Sequence, residues 1–246
     1  MRRTLGLLIA GSAMLLGTGA AEAGLRAVYN DVEKTKQLQI DVADNGDARI
    51  GESGKDEYGL IVGGEFYMVG MVGGKMTVAR LKDVATAMDQ VLPPIFKGLF
   101  DKAFANMPKT QLKVEPGEMG EAGGRKGRVY HVRGMDDSDP SKVTDFLISS
   151  DPDLKPVGAA LEGFMNAAIV PMAPLIGNGA NQLVVETRTV FALGTPIDAG
   201  GRFRLDKVGP ADEPADYFKL PAPPRTVAQL VADMKASQSS GGEEQK

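Results

Sequence analysis

The sequence predicts an α+β protein: a curved antiparallel sheet, in the form of an incomplete β-barrel, with helices packed on its concave face. Three observations favour this class. Apolar and polar residues alternate along many short segments that are separated by glycine pairs or Asn-Gly, as in strands joined by tight turns. Two longer stretches, 81–107 and 149–171, show helical spacing instead. A helix with one apolar stripe needs a surface to bury it, and the predicted sheet supplies that surface.

The stretch 149–171 is the clearest predicted helix. Asp151 suits the N-cap, because its carboxylate accepts hydrogen bonds from the free N–H groups of the first turn. Pro152 follows at the first helical position, where a missing N–H costs nothing, and Pro171 ends the helix. The apolar residues between these prolines recur on one helical face: Leu154, Val157, Leu161, Phe164, Met165 and Ala168.

The chain before residue 81 has the pattern of a β-meander. We predict strands at 24–30, 37–43, 48–52, 58–62, 65–72 and 76–80. Asn45-Gly46, Gly63-Gly64 and Gly73-Gly74 mark turns, because these residues tolerate positive φ. The strand at 65–72 is apolar on both faces, so we expect it to be covered on both sides.

The rest of the chain mixes both patterns. Residues 81–107 predict two amphipathic helices with a break at Pro93-Pro94. Glycine-rich residues 119–128 predict a solvated hairpin loop. Further strands are predicted at 111–115, 126–133, 143–149, 182–193 and 202–208, of which 182–193 is the longest. Residues 217–221 predict an anchor near the end of the chain, and 226–235 predict a short helix.

The two ends of the chain are expected to lie outside the folded domain. Residues 1–23 have the pattern of a secretory signal peptide, with two arginines, a short apolar run and the cleavage site Ala21-Glu22-Ala23. Residues 236–246 have the composition of a disordered tail, which leaves 24–235 as a single α+β domain. We therefore expect a periplasmic protein that is exported by the general or the twin-arginine route and is not lipid-anchored.

Composition argues against several classes of partner. The full chain has a net charge of −4, and removing the predicted signal peptide takes away two arginines and one glutamate, which leaves −5. This balance argues against nucleic acid as a partner and against general attraction to an anionic lipid surface. The chain has no cysteine and therefore no disulfide. The sequence also predicts no membrane-spanning segment in the mature protein.

The motifs that usually carry chemistry are incomplete. His131 is the only histidine, which excludes multi-histidine metal sites, and no GxSxG motif accompanies it. The segment EAGGRKGR lacks the Lys-Ser/Thr ending of a P-loop, and DDSDP lacks the glycine and glutamate of an EF-hand. We therefore predict turns at both segments, and we predict no catalytic residue, no metal site and no cofactor.

Methionine and phenylalanine are concentrated in the apolar runs. Methionine adapts to irregular apolar partners, so these residues suit the lining of a site for a lipid or acyl chain, although an ordinary core would show the same enrichment. The candidate lining residues are Phe66, Met68, Met71, Met88, Phe96, Phe100, Phe104, Leu161, Phe164 and Met165.

Three segments carry a resemblance to a known family: EFYMVGMVGGKMTVARL, DFLISSDPDLKPVGAALEGFM and ADYFKLPAPP. With the order of the predicted elements, they make the chain similar to the LolA/LolB-type lipoprotein-carrier fold. The chain resembles most closely the uncharacterised periplasmic proteins that have a related half-barrel. The resemblance implies an incomplete barrel that wraps its helices around an apolar cavity, and hence a periplasmic carrier or binder of apolar groups.

Three functional hypotheses follow from these observations. The leading one is a periplasmic, non-enzymatic protein that binds a hydrophobic ligand, either a lipid or an acylated partner. The second is a structural module that docks on an envelope protein without a small ligand, which an exposed apolar patch would favour. The third is a hydrolase that uses His131 and nearby carboxylates, which a concave pocket around these groups would favour.

Overall fold

One open antiparallel sheet of 11 strands dominates the computed structural model, which describes residues 22–31, 33–93, 111–135, 139, 141–169, 178–214 and 216–240. The strands are β1 (Glu22–Asp31), β2 (Gln37–Ala43), β3 (Ala48–Glu52), β4 (Tyr58–Val62), β5 (Glu65–Val72), β6 (Lys75–Arg80), β7 (Lys113–Ala122), β8 (Arg125–Arg133), β9 (Val143–Ser149), β10 (Thr195–Ala199) and β11 (Phe203–Glu213). The helices of the described residues are α1 (Leu81–Val91), α2 (Lys155–Ile169), α3 (Asn178–Phe191) and α4 (Val227–Ser240). A 3-10 turn, Pro152–Leu154, leads into α2.

The sheet consists of two meanders that meet at the first and last strands. Its order is β6-β5-β4-β3-β2-β1-β11-β10-β9-β8-β7, so β1 pairs with β11, and β6 and β7 form the two edges. The α+β class and the antiparallel sheet that we predicted are therefore confirmed.

Glycine pairs close the tightest hairpins, as the sequence predicts. Gly63-Gly64 and Gly73-Gly74 all have positive φ, which is the conformation that two-residue hairpin turns need. Gly123-Gly124 does the same between β7 and β8. The hairpin turn that we predicted within 119–128 is present but is confined to these two glycines, because the residues on both sides of the pair belong to β7 and β8.

The longest predicted strand, 182–193, is wrong. Residues 182–191 belong to helix α3, which packs against α2 and β10. The stretch is rich in valine and threonine, which favour strands, but tertiary packing overrides such preferences. Glu186 and Val190 are buried four residues apart, which is helical spacing. The strand that pairs with β11 is β10, through the turn at Gly200-Gly201.

Side chains cap the starts of two helical segments, and the cap at Asp151 is the one that we predicted. The Asp151 carboxylate accepts from the Asp153 backbone N–H at 3.0 Å and from Arg125 Nη1 at 2.6 Å. Thr226 and Gln229 form a capping box at the start of α4, because the Thr226 N–H donates to Gln229 Oε1 and the Gln229 N–H donates to Thr226 Oγ1. Helix α4 continues to Ser240, so residues 236–240 are helical rather than part of the predicted tail.

Apolar residues are buried on both faces of the sheet. On one face, Leu154, Val157 and Ala160 join a core with inward residues of β1, β2, β3 and β11. On the opposite face, Leu60, Val69 and Val78 form a second cluster, against which Leu220 and Ala222 pack. Within the predicted anchor, Phe218 is buried, with only 3% of it exposed. The predicted second helix after Pro93, like residues 1–21, lies outside the described residues.

No helix among the described residues is both long and apolar enough to cross a membrane.

Candidate functional site

An apolar surface lies where β5 meets helix α2. Because side chains alternate along a strand, Phe66 and Met68 of β5 share the face that carries α2, together with Val72. The rings of Phe66 and Phe164 are 6.3 Å apart between centroids, at an interplanar angle of 47°. This tilted contact ties the strand to the helix.

Two glycines allow this close approach. A Cβ on Gly59 would overlap the Phe66 ring, so the ring lies across the β4 backbone where no side chain stands. On the helix, a Cβ on Gly163 would lie 3.0 Å from Ile61 Cδ1. The glycines therefore set both the position of the ring and the depth of α2 on the sheet.

The outer part of this surface is exposed. Met68 is 50% exposed, Met165 is 45% exposed and Val72 is 60% exposed, whereas Leu161 and Phe164 are partly buried against the core. We define the β5–α2 surface as Phe66, Met68, Val72, Leu161, Phe164 and Met165. Val72 was not among the predicted lining residues. The signal that could have identified it is strand alternation, which places Val72 on the same face of β5 as Phe66 and Met68.

The other predicted lining residues do not join this group. Met71 lies on the opposite face of β5, where it lines a shallow depression with Glu52, Lys55, Asp56 and Glu57. Met88 is on α1, which packs against α4. Phe96, Phe100 and Phe104 lie outside the described residues.

A polar cluster occupies the opposite face of the sheet, and sequence reasoning missed it. Asp41 on β2 is 1% exposed. Its Oδ1 accepts from Arg26 Nε at 2.5 Å, and its Oδ2 accepts from Gln39 Nε2 and from the Tyr217 hydroxyl, both at 2.7 Å. Arg26 also pairs with Glu213. The hydrogen bond with Asp41 raises the pKa of the Arg26 guanidinium above its ordinary value.

Arg49 lies beside this cluster in a different environment. Its guanidinium carbon lies over the Tyr58 ring, 3.6 Å from the centroid, and 4.5 Å from the centroid of Tyr217. Both distances are within the range of cation–π attraction. Arg49, Tyr58 and Tyr217 line a small pocket of ≈ 140 Å³, which Gln39, Asp41 and the 51–55 segment complete.

His131 has an exposed cross-strand partner. Its Nδ1 is 2.7 Å from Asp145 Oδ1, and the two residues face each other in the β8–β9 register. Both side chains are exposed. A Cβ on Gly117 would lie 2.6 Å from His131 Nε2, so the other ring nitrogen faces the β7 backbone. This arrangement is that of a pairing residue on a sheet surface.

Within the described part of the chain, no group of three or more histidine, cysteine, aspartate or glutamate side chains could hold a metal ion.

Comparisons of the chain with protein-family models, with curated proteins and with solved structures find no match. The class that the structure defines is an α+β protein with one open 11-stranded antiparallel sheet.

Tyr217 makes the stability that the polar cluster around Asp41 contributes depend on pH. Burial, and then its hydrogen bond to Asp41, raise the pKa of Tyr217 to about 12, against about 10 for a free tyrosine. The stabilisation by the neutral hydroxyl is therefore complete below pH 10, and it is lost as the pH rises through 12. We expect Tyr217→Phe to be less stable than wild type at pH 8, by about 1 kcal/mol for the lost hydrogen bond.

The test is urea unfolding of wild type and Tyr217→Phe at several pH values. The difference between their free energies of unfolding should shrink as the pH rises from about 10 to about 12. A difference that stays constant over this range would show that Tyr217 ionises equally in the folded and unfolded chains.

Proposed function

We propose that this protein is a periplasmic, non-enzymatic binder of a hydrophobic ligand, and that the β5–α2 surface takes an acyl chain of a lipid or of an acylated partner. The observation that carries the proposal is the exposure of Met68 and Met165 beside the Phe66–Phe164 contact. Burial of apolar area yields about 0.8 kcal/mol per methylene. An alkyl chain lying against these side chains would gain this energy at every contact.

The chemistry of the surface favours a lipid over a folded protein. Its side chains are methionine, phenylalanine, leucine and valine, none of which offers a strong hydrogen-bonding group. Protein interfaces typically carry about one hydrogen bond per 100–200 Å². Methionine adapts its shape to a flexible partner, and an acyl chain is such a partner.

The proposal includes a geometry and a compartment. We place the helices on the concave face of a curved sheet, so that α2 forms one wall of the site and β5 forms the other. The resemblance to lipoprotein carriers and the pattern of residues 1–23 support export of the protein to the periplasm.

The first experiment is native mass spectrometry of protein purified from the periplasm, with lipid extraction of the same sample. We expect a stoichiometric bound lipid, or uptake of added fatty acid or phospholipid by the apo protein. A clean apo mass that takes up neither compound would exclude the carrier function and favour the hypothesis of an envelope interaction module.

Variants locate the site. Met68→Glu and Met165→Glu should each weaken fatty-acid binding by roughly tenfold, because a charged carboxylate in the apolar surface replaces contacts that contribute about 1.5–3 kcal/mol per side chain. Met119→Glu is the matched control, since Met119 is 62% exposed on the edge strand β7. Equal weakening in all three variants would place the binding elsewhere.

A further inference from the structure

The Arg49 pocket lies on the face of the sheet opposite the β5–α2 surface. Asp41 and Arg49 are paired across β2 and β3, so their side chains share one face, and Ile40 and Ile50 on the alternate face belong to the main core. The pocket is therefore separate from the proposed apolar site.

Arg49 differs from its neighbour Arg26 in its hydrogen bonding. Arg26 donates to Asp41 and to Glu213, whereas Arg49 contacts the rings of Tyr58 and Tyr217. Among the described residues, Arg49 has neither a hydrogen-bond acceptor nor an ion-pair partner. An arginine carries five N–H donors in a fixed fork, and aromatic faces attract its charge without satisfying those donors.

We propose that the Arg49 pocket binds a single carboxylate group, which the guanidinium of Arg49 holds through two parallel N–H···O bonds. A planar carboxylate matches the fork of an arginine. The tyrosine rings contact the guanidinium and limit its freedom, so less conformational entropy is lost on binding. The pocket of ≈ 140 Å³ is several times the space that a single water needs, which is sufficient for one carboxylate group.

Charge selects a monoanion. Glu52 and Asp41 also line the pocket, and Arg26 already pairs with Asp41. Because Arg26 is shared with Glu213, the charges of the lining balance, with Arg49 and the exposed Lys55 at the rim opposed by Glu52 and Asp41. The guanidinium of Arg49 is the group that attracts the anion. A dianion such as phosphate at neutral pH would place a second negative charge against Glu52. The carboxylate could come from a small organic acid or from the C-terminus of a polypeptide.

The test is an NMR titration of the ¹⁵N-labelled full chain at constant ionic strength, followed through the arginine Nε–H signals and the amides of residues 51–55. Acetate should shift the Arg49 signal and the 51–55 amides with a dissociation constant in the millimolar range, and phosphate should bind more weakly. Absence of shifts with acetate, or tighter binding of phosphate, would overturn the proposal.

Two variants and a control assign the effect. Arg49→Met should weaken acetate binding at least tenfold. Glu52→Gln should strengthen it roughly threefold, because one opposing charge is removed at the pocket rim, and a gain of affinity cannot result from misfolding. Arg202→Met removes an exposed arginine at the β10–β11 turn and should leave binding unchanged. No gain in Glu52→Gln, or an equal loss in Arg202→Met, would contradict a carboxylate site at Arg49.

The source of the carboxylate is distinguished with two short peptides of one sequence, one with a free C-terminal carboxylate and one amidated. If only the peptide with the free carboxylate binds, and more tightly than acetate, the site binds polypeptide C-termini. If the free peptide binds no more tightly than acetate, the site takes a small organic acid. Equal binding of the amidated peptide would overturn the proposal.

Discussion

Replacing Asp41 with alanine is expected to lower the free energy of unfolding by about 3 kcal/mol. Asp41 is the most buried acidic side chain of the described residues, and each of its oxygens accepts a short hydrogen bond. Its loss leaves the hydroxyl of Tyr217, the amide of Gln39 and the Nε–H of Arg26 without their acceptor. Urea unfolding at pH 7 measures the effect.

The cost comes mainly from the groups that remain, rather than from the pair itself. Removing one partner of a buried ion pair typically costs about 3–5 kcal/mol. We take the lower end because Arg26 is about one-third exposed and keeps Glu213 as a partner. A double-mutant cycle with Arg26→Met should therefore show a coupling of about 1–2 kcal/mol between the two residues.

The matched control is Asp206→Ala, which removes an exposed aspartate from β11. A surface substitution of this kind changes stability by less than about 0.5 kcal/mol. If Asp41→Ala and Asp206→Ala have the same free energy of unfolding, the hydrogen bonds and the ion pair of Asp41 contribute no measurable stability.

The same cluster shows why sequence reasoning fails for part of the fold. Asp41 stands at a polar position of an alternating strand, which the pattern assigns to solvent. Its partner Tyr217 comes 176 residues later in the chain. Alternation identifies the face of a strand that is polar, but it does not reveal that a distant segment returns to cover that face.

Local signals correctly predicted the hairpin turns and the cap of the 3-10 turn that leads into α2. The turn at Gly63-Gly64 and the N-cap Asp151 depend on neighbours within a few residues, so their chemistry is visible in the sequence. Helix α3 is the opposite case, since its valines and threonines favour a strand and only packing against α2 decides the outcome.

The residues of the candidate apolar site were predictable from the sequence, but the contact between them was not. Phe66 and Met68 follow from strand alternation, and Phe164 and Met165 follow from helical spacing. That Phe66 meets Phe164 depends on Gly59 and Gly163, which leave space for the ring and for the helix. Glycines that leave such space do not form an apolar pattern along the sequence, so no pattern predicts this contact.

Replacing Gly194 with alanine is expected to lower the free energy of unfolding by about 2–6 kcal/mol, the sum of about 1–3 for backbone strain and about 1–3 for overpacking. Gly194 joins α3 to β10 with a φ of +136°, a conformation that L side chains rarely adopt. A Cβ there would overlap the Ser149 carbonyl oxygen and lie 3.0 Å from Ile148 Cγ2. Because the carbonyl is backbone, the clash separates β10 from β9, next to the buried hydrogen bond from Thr195 Oγ1 to the Leu154 carbonyl.

Alanine variants of two other glycines, measured in the same assay, separate the cost of backbone strain from the cost of a steric clash. Gly201 has a φ of +69° and a Cβ added there would meet nothing within 4 Å, and Gly209 has neither a positive φ nor a close neighbour. Gly201→Ala should therefore cost about 1 kcal/mol, and Gly209→Ala should be nearly neutral. If Gly194→Ala costs no more than Gly201→Ala, the β9–β10 junction yields to an added methyl group. The larger cost that we expect would show that this junction, where both helices α2 and α3 meet the sheet, is a rigid point of the fold.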